Sequence, residues 1–301
     1  MRNAFCQTLV ENAADPSFVF LTGDLGFHAL EPLRHEMGDR FINAGIAEQN
    51  MVSVAAGLAK EGLRPWVYSI APFLYARAFE QIRNDVCLHR MPVVLVGNGG
   101  GYGYGVMGST HHAIEDYGAL LTLQGMRAYL PAFDADVSDT IRYLMRVDHP
   151  AYLRLGLSEQ PKWFSPPPFA PWRHLLAGVG PTIAIAGPLA GGILDAVRQS
   201  ELSADIWLVS ELPVTDLPSE FLISLRRSNY LMVIEEHVGS GGFGQMLAHQ
   251  LLLAGAAPGR FVHRTALGYV SGQYGSQRFH RAECGLDPAS IVSELNRAVT
   301  A

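Results

Sequence analysis

The sequence predicts an α/β protein of two domains, each a mostly parallel sheet flanked by helices. Three observations predict this fold class. The chain has 301 residues, about twice the usual size of a single domain. Hydrophobic residues make up 49% of the chain and charged residues 17%, a balance that can build real cores and that excludes a disordered protein. Short apolar runs alternate with segments of helical periodicity, which is typical of parallel α/β sheets.

Five strands are predicted in the first half, because these runs are apolar throughout, as in strands buried on both faces. They are Phe18–Leu21, Pro65–Ile70, Pro92–Val96, Arg127–Leu130 and Ala151–Leu155. Helices are predicted between them where apolar residues recur on one face. One such face has Ala47, Met51, Val54, Ala55 and Leu58, and a second has Phe79, Ile82 and Val86.

A proline-rich stretch around Ser165–Pro168 then breaks the pattern, since such a sequence continues neither a helix nor a central strand. We therefore expect a first domain over residues 1–160, a linker over 161–180 and a smaller α/β domain over 181–301. The second domain has predicted strands at Thr182–Ala186, Asp205–Val209, Tyr230–Ile234 and Arg260–His263, and predicted helices at Leu189–Gln199, Gly244–Leu253 and Pro288–Val299.

The charge balance and the cysteines narrow the class of protein. The formal net charge is −6, and a mildly acidic chain without a basic run is not expected to bind nucleic acid. Its three cysteines are widely scattered, so they predict neither a metal site nor a disulfide framework. No apolar run approaches the roughly 18 residues of a membrane helix, and the first residues lack the apolar core of a signal peptide. We expect a cytoplasmic protein that spans no membrane.

The segment Asn43–Met51 places a single carboxylate, Glu48, in the first turn of a predicted helix. A negative charge is favoured there by the helix dipole, and loops beyond the carboxyl ends of parallel strands are where such sheets bind ligands. Glu48 is thus a candidate for proton transfer. From this segment alone, an ordinary first-turn acid on a surface helix is the favoured explanation of Glu48.

Seven glycines lie between Gly97 and Gly108, just after the Pro92–Val96 run. So many glycines indicate a close approach of the backbone or left-handed conformations. His111 and His112 follow and are predicted to open a helix over Ala113–Tyr117. An imidazole suits proton exchange near neutral pH, whereas no second ligand at helical spacing supports a metal site. A capping or merely exposed histidine pair is the alternative.

Taken together, five segments resemble the C-terminal half of the transketolase family of thiamine diphosphate enzymes, in the family's order and spacing, and the match covers nearly the whole chain. The segments are Asn43–Met51, which resembles the glutamate motif; Pro72–Asn84, the pyrimidine-stacking helix; Gly108–Asp116, the Gly-x-[ST]-His element; Pro150–Gly156, the strand that closes the pyrimidine domain; and Val233–Gly244, the EEH…GGxG segment of the last domain.

The resemblance implies a role for each matching residue. Glu48 would hydrogen-bond a ring nitrogen of the cofactor's aminopyrimidine and favour its imino form, so that a carbanion can form on the thiazolium ring and the cofactor can serve as electron sink. Phe73 would stack on the pyrimidine, with a core aromatic as its alternative role. Ile46 and Ile70 would line the same cofactor pocket. His111 would be catalytic and contact substrate, together with His112, Arg77 and Tyr75. A solvated helix arginine is the alternative for Arg77.

The family's pyrophosphate domain carries a Gly-Asp-Gly motif and an asparagine that supply the Mg²⁺ ligands, and this sequence has no Gly-Asp-Gly. The resemblance therefore implies that thiamine diphosphate is shared with a partner chain, which would bind Mg²⁺, while this chain holds no metal. The expected partner is an N-terminal subunit that carries the pyrophosphate domain. The alternative is a degenerate, inactive relative.

Three positions depart from the family where ordinary transketolases hold sugar phosphates. Met107 replaces an aspartate, Gly99 replaces a phosphate-binding histidine, and Leu157 replaces an arginine. Loss of an arginine removes a natural clamp for phosphate, so the identity of the substrate stays open. Arg154 is expected to be structural, and Arg77 is the best remaining contact for an anion.

The leading hypothesis is the C-terminal subunit of a split transketolase-like enzyme, which transfers a two-carbon ketol or acyl unit from a ketose-type donor to an aldehyde or ketone acceptor. The alternatives are the beta subunit of a 2-oxo acid dehydrogenase and a non-catalytic regulatory subunit. The resemblance implies an α₂β₂ heterotetramer with the partner chain. We also expect self-association of this chain, because Val52, Leu74 and Tyr75 fall off the packed helical face and would point outward.

Overall fold

The computed structural model describes residues 1–26 and 28–300. The chain forms two mostly parallel sheets with helices packed against them, as expected. The strands are β1 (Phe18–Thr22), β2 (Phe41–Asn43), β3 (Arg64–Ile70), β4 (Val94–Asn98), β5 (Arg127–Tyr129), β6 (Ala151–Leu155), β7 (Trp172–Leu176), β8 (Thr182–Ala186), β9 (Asp205–Val209), β10 (Glu211–Leu212), β11 (Tyr230–Glu235) and β12 (Arg260–Arg264).

The helices lie before, between and after these strands in the chain. They are α1 (Arg2–Glu11), α2 (Glu31–Met37), α3 (Glu48–Lys60), α4 (Ala71–Tyr75), α5 (Phe79–Gln81), α6 (Asp116–Leu120), α7 (Asp134–Leu144), α8 (Leu189–Gln199), α9 (Ser219–Ser228), α10 (Phe243–Leu253), α11 (Gln277–Glu283) and α12 (Pro288–Thr300). The short α5 continues as a π-helical stretch over Ile82–Cys87.

The first sheet has seven strands in the order β10-β5-β6-β4-β3-β1-β2, and every neighbouring pair except β10 with β5 is parallel. Its central strands are buried along nearly their whole length, because helices cover both faces. The carboxyl ends of β2, β3 and β4 lie at one edge of the sheet, so the loops that follow them can share a site.

The second sheet has five strands in the order β12-β11-β8-β9-β7, with only β7 antiparallel to its neighbour β9. The chain then passes from β9 back to the first sheet, where β10 pairs with β5 through Glu211 opposite Tyr129. The two sheets are thereby joined by a strand as well as by side chains.

The predicted linker over residues 161–180 is wrong in its second part. Residues 172–176 form β7, which pairs with β9 of the second sheet. The proline run ends at Pro171, so the backbone N–H groups that follow are free to join a ladder. Trp172 packs on Phe221 with their ring centroids 4.8 Å apart, and this contact with α9 favours the strand.

Two other expectations are also wrong. Val52, Leu74 and Tyr75 do not face outward, because each is buried in the core beneath the first sheet. The segment α4 packs against β3, β4 and α3, and α3 packs against β3, so these side chains are covered. His111 and His112 do not open a helix. His111 lies in a turn, His112 follows it outside any helix, and α6 begins only at Asp116.

No helix within residues 1–26 and 28–300 is both long and apolar enough to span a membrane.

Candidate active site

Three side chains from the carboxyl edge of the first sheet form the candidate site. Glu48 is the first residue of α3, shortly after β2. Phe73 belongs to α4, directly after β3, and His111 lies in the turn that follows the glycine-rich loop after β4. The rings of Phe73 and His111 meet edge to face with centroids 5.1 Å apart. The structure thus brings together three residues that are far apart in sequence.

Glu48 is a buried acid with few partners. Only 3% of it is exposed, and the free N–H groups of the first helical turn favour its negative charge. Its Oε1 accepts a long hydrogen bond of 3.4 Å from the Ser69 hydroxyl of β3. Its Oε2 accepts a short one of 2.6 Å from the Arg77 guanidinium. A buried carboxylate with one firm partner can exchange that partner for a nitrogen base.

Phe73 and His111 leave part of their surface free. Phe73 is half-buried, and the Arg77 guanidinium lies over its ring, 4.6 Å from the centroid. Nδ1 of His111 bonds to the Thr110 hydroxyl at 2.9 Å. Its Nε2 has no hydrogen bond with the residues that the structure describes. Nε2 of His111 is therefore available for a hydrogen bond with a ligand.

The other predicted site residues have mixed placements. Ile46 is 83% exposed in the loop before α3, and Ile70 ends β3 at the start of α4. Ile46 lies two residues before Glu48, and Ile70 follows Ser69, whose hydroxyl bonds to Glu48. Tyr75 is buried, and its hydroxyl donates to Glu115 at 3.3 Å. Burial raises its pKa, so Tyr75 stays protonated.

His112 does not fit its predicted contact with substrate. Its ring is buried, and both nitrogens are occupied, Nδ1 by the Tyr269 hydroxyl and Nε2 by the carbonyl of Gly105. Burial lowers its pKa. His112 therefore joins the glycine-rich loop to the second domain and has no nitrogen left for a substrate.

A cavity of about 280 Å³ adjoins this site, lined by Arg2, Asn98, Gly99, Gly103, Tyr104, Gly156 and Leu157. Tyr104 connects the cavity to the site, since its ring lies 5.7 Å from that of His111. Arg2 makes no hydrogen bond or ion pair within the described part of the chain. Arg2 was not predicted from the sequence, because only the fold brings the start of α1 over the ends of β4 and β6.

Tyr104 also explains the departure at Gly99. A Cβ on Gly99 would lie 2.2 Å from the Tyr104 ring, and Gly99 has φ +80°. Asn98 donates a hydrogen bond of 2.8 Å to the Tyr104 hydroxyl. The space beside Gly99 is therefore filled by an aromatic ring held in place by an amide.

Glu235 and Glu236, from the EEH segment at the end of β11, form a different kind of cluster. Glu235 accepts from the backbone N–H groups of Phe243 and Gly244 at the start of α10, from Tyr117 and from His263. Burial alone would raise its pKa, but the hydrogen bonds from His263, Tyr117 and Gly244 lower it. Glu236 pairs with Arg281 at 2.8 Å.

Arg154 links this cluster to the first domain. It is buried, pairs with Asp116 at 2.8 Å and donates to the carbonyls of Ala113 and Glu236. Its Nε and Nη2 donors are used within the chain, on groups from both domains, so Arg154 holds the two domains together.

The site fits one half of thiamine diphosphate. A half-buried flat ring at Phe73 and a buried carboxylate at Glu48 suit an aminopyrimidine, which can stack and hydrogen-bond at once. The described residues do not fit the metal, since among them no group of three or more His, Cys, Asp or Glu side chains could hold an ion.

Residues 1–161 match the family described as "Transketolase, pyrimidine binding domain". That match covers more than half of the chain, which therefore belongs to the transketolase family.

The similar proteins include chains of comparable length and longer ones. The chain is 31% identical over 271 residues to one of the subunits of apulose-4-phosphate transketolase from Actinobacillus succinogenes, covering 87% of this chain and 86% of that one. It is 32% identical to 1-deoxy-D-xylulose-5-phosphate synthase 2 of Geobacter sulfurreducens, but spans only 42% of that protein while 85% of this chain is covered.

Among solved structures, one described as "Split gene transketolase, inactive beta4 tetramer" has a TM-score of 0.83 and 29% identity, with 99% of this chain and 97% of that chain covered. Transketolase from Leishmania mexicana superposes with a TM-score of 0.76 at 16% identity, covering 99% of this chain and 45% of that one. The latter likeness is one of fold.

Proposed function

We propose that this chain is the pyrimidine-binding subunit of a two-chain transketolase, which transfers a two-carbon ketol or acyl unit from a phosphorylated ketose to an aldehyde or ketone acceptor. The observation that carries the proposal is the buried Glu48 carboxylate beside the half-open Phe73 ring and the free nitrogen of His111. The relatives named as a subunit of apulose-4-phosphate transketolase and as a split-gene transketolase support it.

Each residue of the site has a distinct task in this proposal. Glu48 holds a proton against a ring nitrogen of the aminopyrimidine, and its burial keeps water from competing for that bond. Phe73 supplies the stacking face, with Ile46 and Ile70 as apolar flanks. His111 exchanges a proton with the substrate's oxygen at Nε2. The bound thiamine diphosphate itself supplies the electron sink for cleaving and forming the carbon–carbon bond.

The diphosphate and its Mg²⁺ are assigned to a second chain. The described residues offer no group of side chains that could hold the ion. We therefore propose an N-terminal partner with the pyrophosphate domain and an α₂β₂ assembly. The structural relative described as an inactive β4 tetramer supports both self-association and the need for a partner, although Val52, Leu74 and Tyr75, which were expected to mediate self-association, are buried.

The cavity beside Tyr104 is proposed to hold the phosphate of the donor. Arg2 is the cation among its lining residues and has no partner of its own within the described chain. An arginine suits phosphate because it donates two parallel N–H bonds. Arg2 would then replace the contacts that Gly99 and Leu157 do not make.

The test combines this chain with its partner, Mg²⁺ and thiamine diphosphate, and follows ketol transfer from phosphorylated and unphosphorylated ketoses. We expect turnover only with both chains and a preference for phosphorylated donors. Arg2→Met should raise KM for the phosphorylated donor by about tenfold to a hundredfold, since a charge-assisted hydrogen bond is worth roughly 1.5–3 kcal/mol, and should leave the unphosphorylated donor unchanged.

Arg142 offers the control, because it is an exposed arginine on α7 that pairs with Asp139 and Glu11. Arg142→Met should leave both KM values unchanged. Equal effects of Arg2→Met on the two donors would remove phosphate binding from the proposal. Turnover by this chain alone would contradict the proposed need for a partner chain.

A further inference from the structure

The Arg77 guanidinium lies between the two groups assigned to the pyrimidine. Its Nη1 donates to Oε2 of Glu48 at 2.6 Å. Its central carbon lies over the Phe73 ring, 4.6 Å from the centroid. One flat group thus makes the carboxylate contact and the ring contact at the same time.

These are the two contacts that an aminopyrimidine would make in the proposed function. A guanidinium is planar and delocalised, stacks on aromatic faces and donates N–H bonds in its own plane. An aminopyrimidine is also planar and would meet Glu48 through a ring nitrogen and Phe73 through its face. The two groups therefore compete for one place.

We infer that Arg77 is a placeholder that fills the pyrimidine site while the cofactor is absent and must leave when thiamine diphosphate enters. The inference rests on the proposed function, because it takes the cofactor from there. It also revises the expectation for Arg77, which was predicted as a contact for substrate. Without cofactor, Arg77 pairs with Glu48, which is the acid that the proposed chemistry requires.

The Arg77 guanidinium supplies a firm partner that the buried Glu48 carboxylate otherwise lacks. Glu48 is 3% exposed, and its other hydrogen bond, from Ser69, is 3.4 Å long. A buried carboxylate without a firm partner is strongly unfavourable. The Arg77 guanidinium satisfies Glu48 until a nitrogen of the cofactor can replace it.

The position of Arg77 allows it to leave. It lies in the turn over residues 76–78 that separates α4 from α5, and its side chain is 42% exposed. A change of side-chain rotamer can carry the guanidinium into water without moving Phe73 or Glu48. Entry of the cofactor then requires breaking one ion pair and no rearrangement of the core.

The first measurement examines the pair in this chain alone, without cofactor. Thermal unfolding is compared for the wild type, Arg77→Ala, Glu48→Gln and the double variant. We expect Arg77→Ala to lower Tm by roughly 2–4 °C in the wild-type background and by much less in the Glu48→Gln background. Equal shifts in both backgrounds would show that Arg77 does not stabilise Glu48, and would overturn the placeholder.

The second measurement uses the complex with the partner chain and titrates thiamine diphosphate with excess Mg²⁺ by calorimetry. Arg77→Ala should bind about tenfold more tightly, which corresponds to ~1.4 kcal/mol, because no ion pair must be broken. Arg77→Lys keeps the charge but loses the flat stacking group, and should fall between the two. Arg83→Ala is the matched control, since Arg83 is an exposed arginine on the π-helical stretch, and should bind as the wild type does.

Failure of this inference can be told from failure of the proposed function. A wild-type complex that binds the cofactor, together with an Arg77→Ala complex that binds equally or more weakly, overturns the placeholder alone. In that case Arg77 contacts the bound cofactor or the substrate. A wild-type complex that does not bind the cofactor overturns the proposed function, and the inference with it.

Discussion

Glu48 and Glu235 are both buried carboxylates near the carboxyl ends of strands, but their partners differ in kind. Glu48 has one short hydrogen bond, from an arginine side chain that is partly exposed. Glu235 accepts two backbone N–H groups at the start of α10, together with bonds from Tyr117 and His263. The first acid has a partner that can move away, whereas the second has partners fixed by the fold.

This difference shows how similar residues serve different ends. A backbone N–H at a helix start cannot leave without unwinding the helix, so Glu235 holds α10 against β11 permanently. A side-chain donor on a turn can leave by rotation. The availability of a carboxylate for chemistry therefore depends on whether its donors can be exchanged, and burial alone does not distinguish the two sites.

The same substitution at both acids gives the sharpest contrast, and its largest effect is expected at Glu48. Glu48→Gln still accepts a hydrogen bond from Arg77, so the fold should be kept. The amide cannot exchange a proton with a pyrimidine nitrogen, and ketol transfer by the two-chain complex should fall by about 10²–10⁴-fold. Steady-state rates with saturating cofactor measure this. A rate within a few-fold of the wild type would show that Glu48 is not catalytic.

Glu235→Gln should have the opposite profile. The amide nitrogen turns a donor toward groups that are donors themselves, so the free energy of unfolding should fall by roughly 1–3 kcal/mol. Urea denaturation of this chain measures the loss. The rate per folded complex should stay near that of the wild type, and a selective loss of turnover with unchanged stability would contradict the comparison.

The smallest effect concerns three buried histidines. Burial lowers the pKa of His112, His237 and His280, so the folded chain binds fewer protons than the unfolded one. Stability should therefore be constant above about pH 6.5, the usual histidine pKa, and should fall as the pH drops below it.

Urea denaturation at pH 7.5, 6.5 and 5.5 measures this dependence. His237→Gln removes one of the three groups and should make the decline between pH 6.5 and 5.5 shallower, whatever its effect on stability at pH 7.5. His35→Gln is the control, because His35 is an exposed histidine on α2. An unchanged slope for His237→Gln would show that His237 does not titrate with folding.

Local patterns in the sequence predict most of the fold. The predicted bounds are confirmed for β6, β8, β9 and α8. Their apolar patterns are local, so they can be recognised without knowing which elements pack against them. Orientation relative to a neighbouring element is harder to predict. Val52 and Leu74 were expected outside on helical periodicity, yet a second covering element buries them. The strand β7 was missed because it depends on pairing with β9, far along the chain.

The candidate site divides in the same way. Glu48, Phe73 and His111 were named from motifs, and the structure places them together at one edge of the sheet. Arg2 was missed because its importance depends on the path of α1 over β4 and β6, which no local pattern contains. His112 was predicted as a site residue because it adjoins His111 in the sequence. In the structure, its ring bonds to Tyr269 and lies away from the site.

The short strand β10 gives the molecule a further property. Glu211 and Leu212 follow the second sheet's β9 and cover the outer edge of β5, and the Ser210 carbonyl accepts a hydrogen bond from the N–H of Leu130. A fragment cut between residues 160 and 180 would leave β5 as a bare edge, open to pairing with other chains. The two halves should therefore melt in a single cooperative transition, and the first half expressed by itself should aggregate.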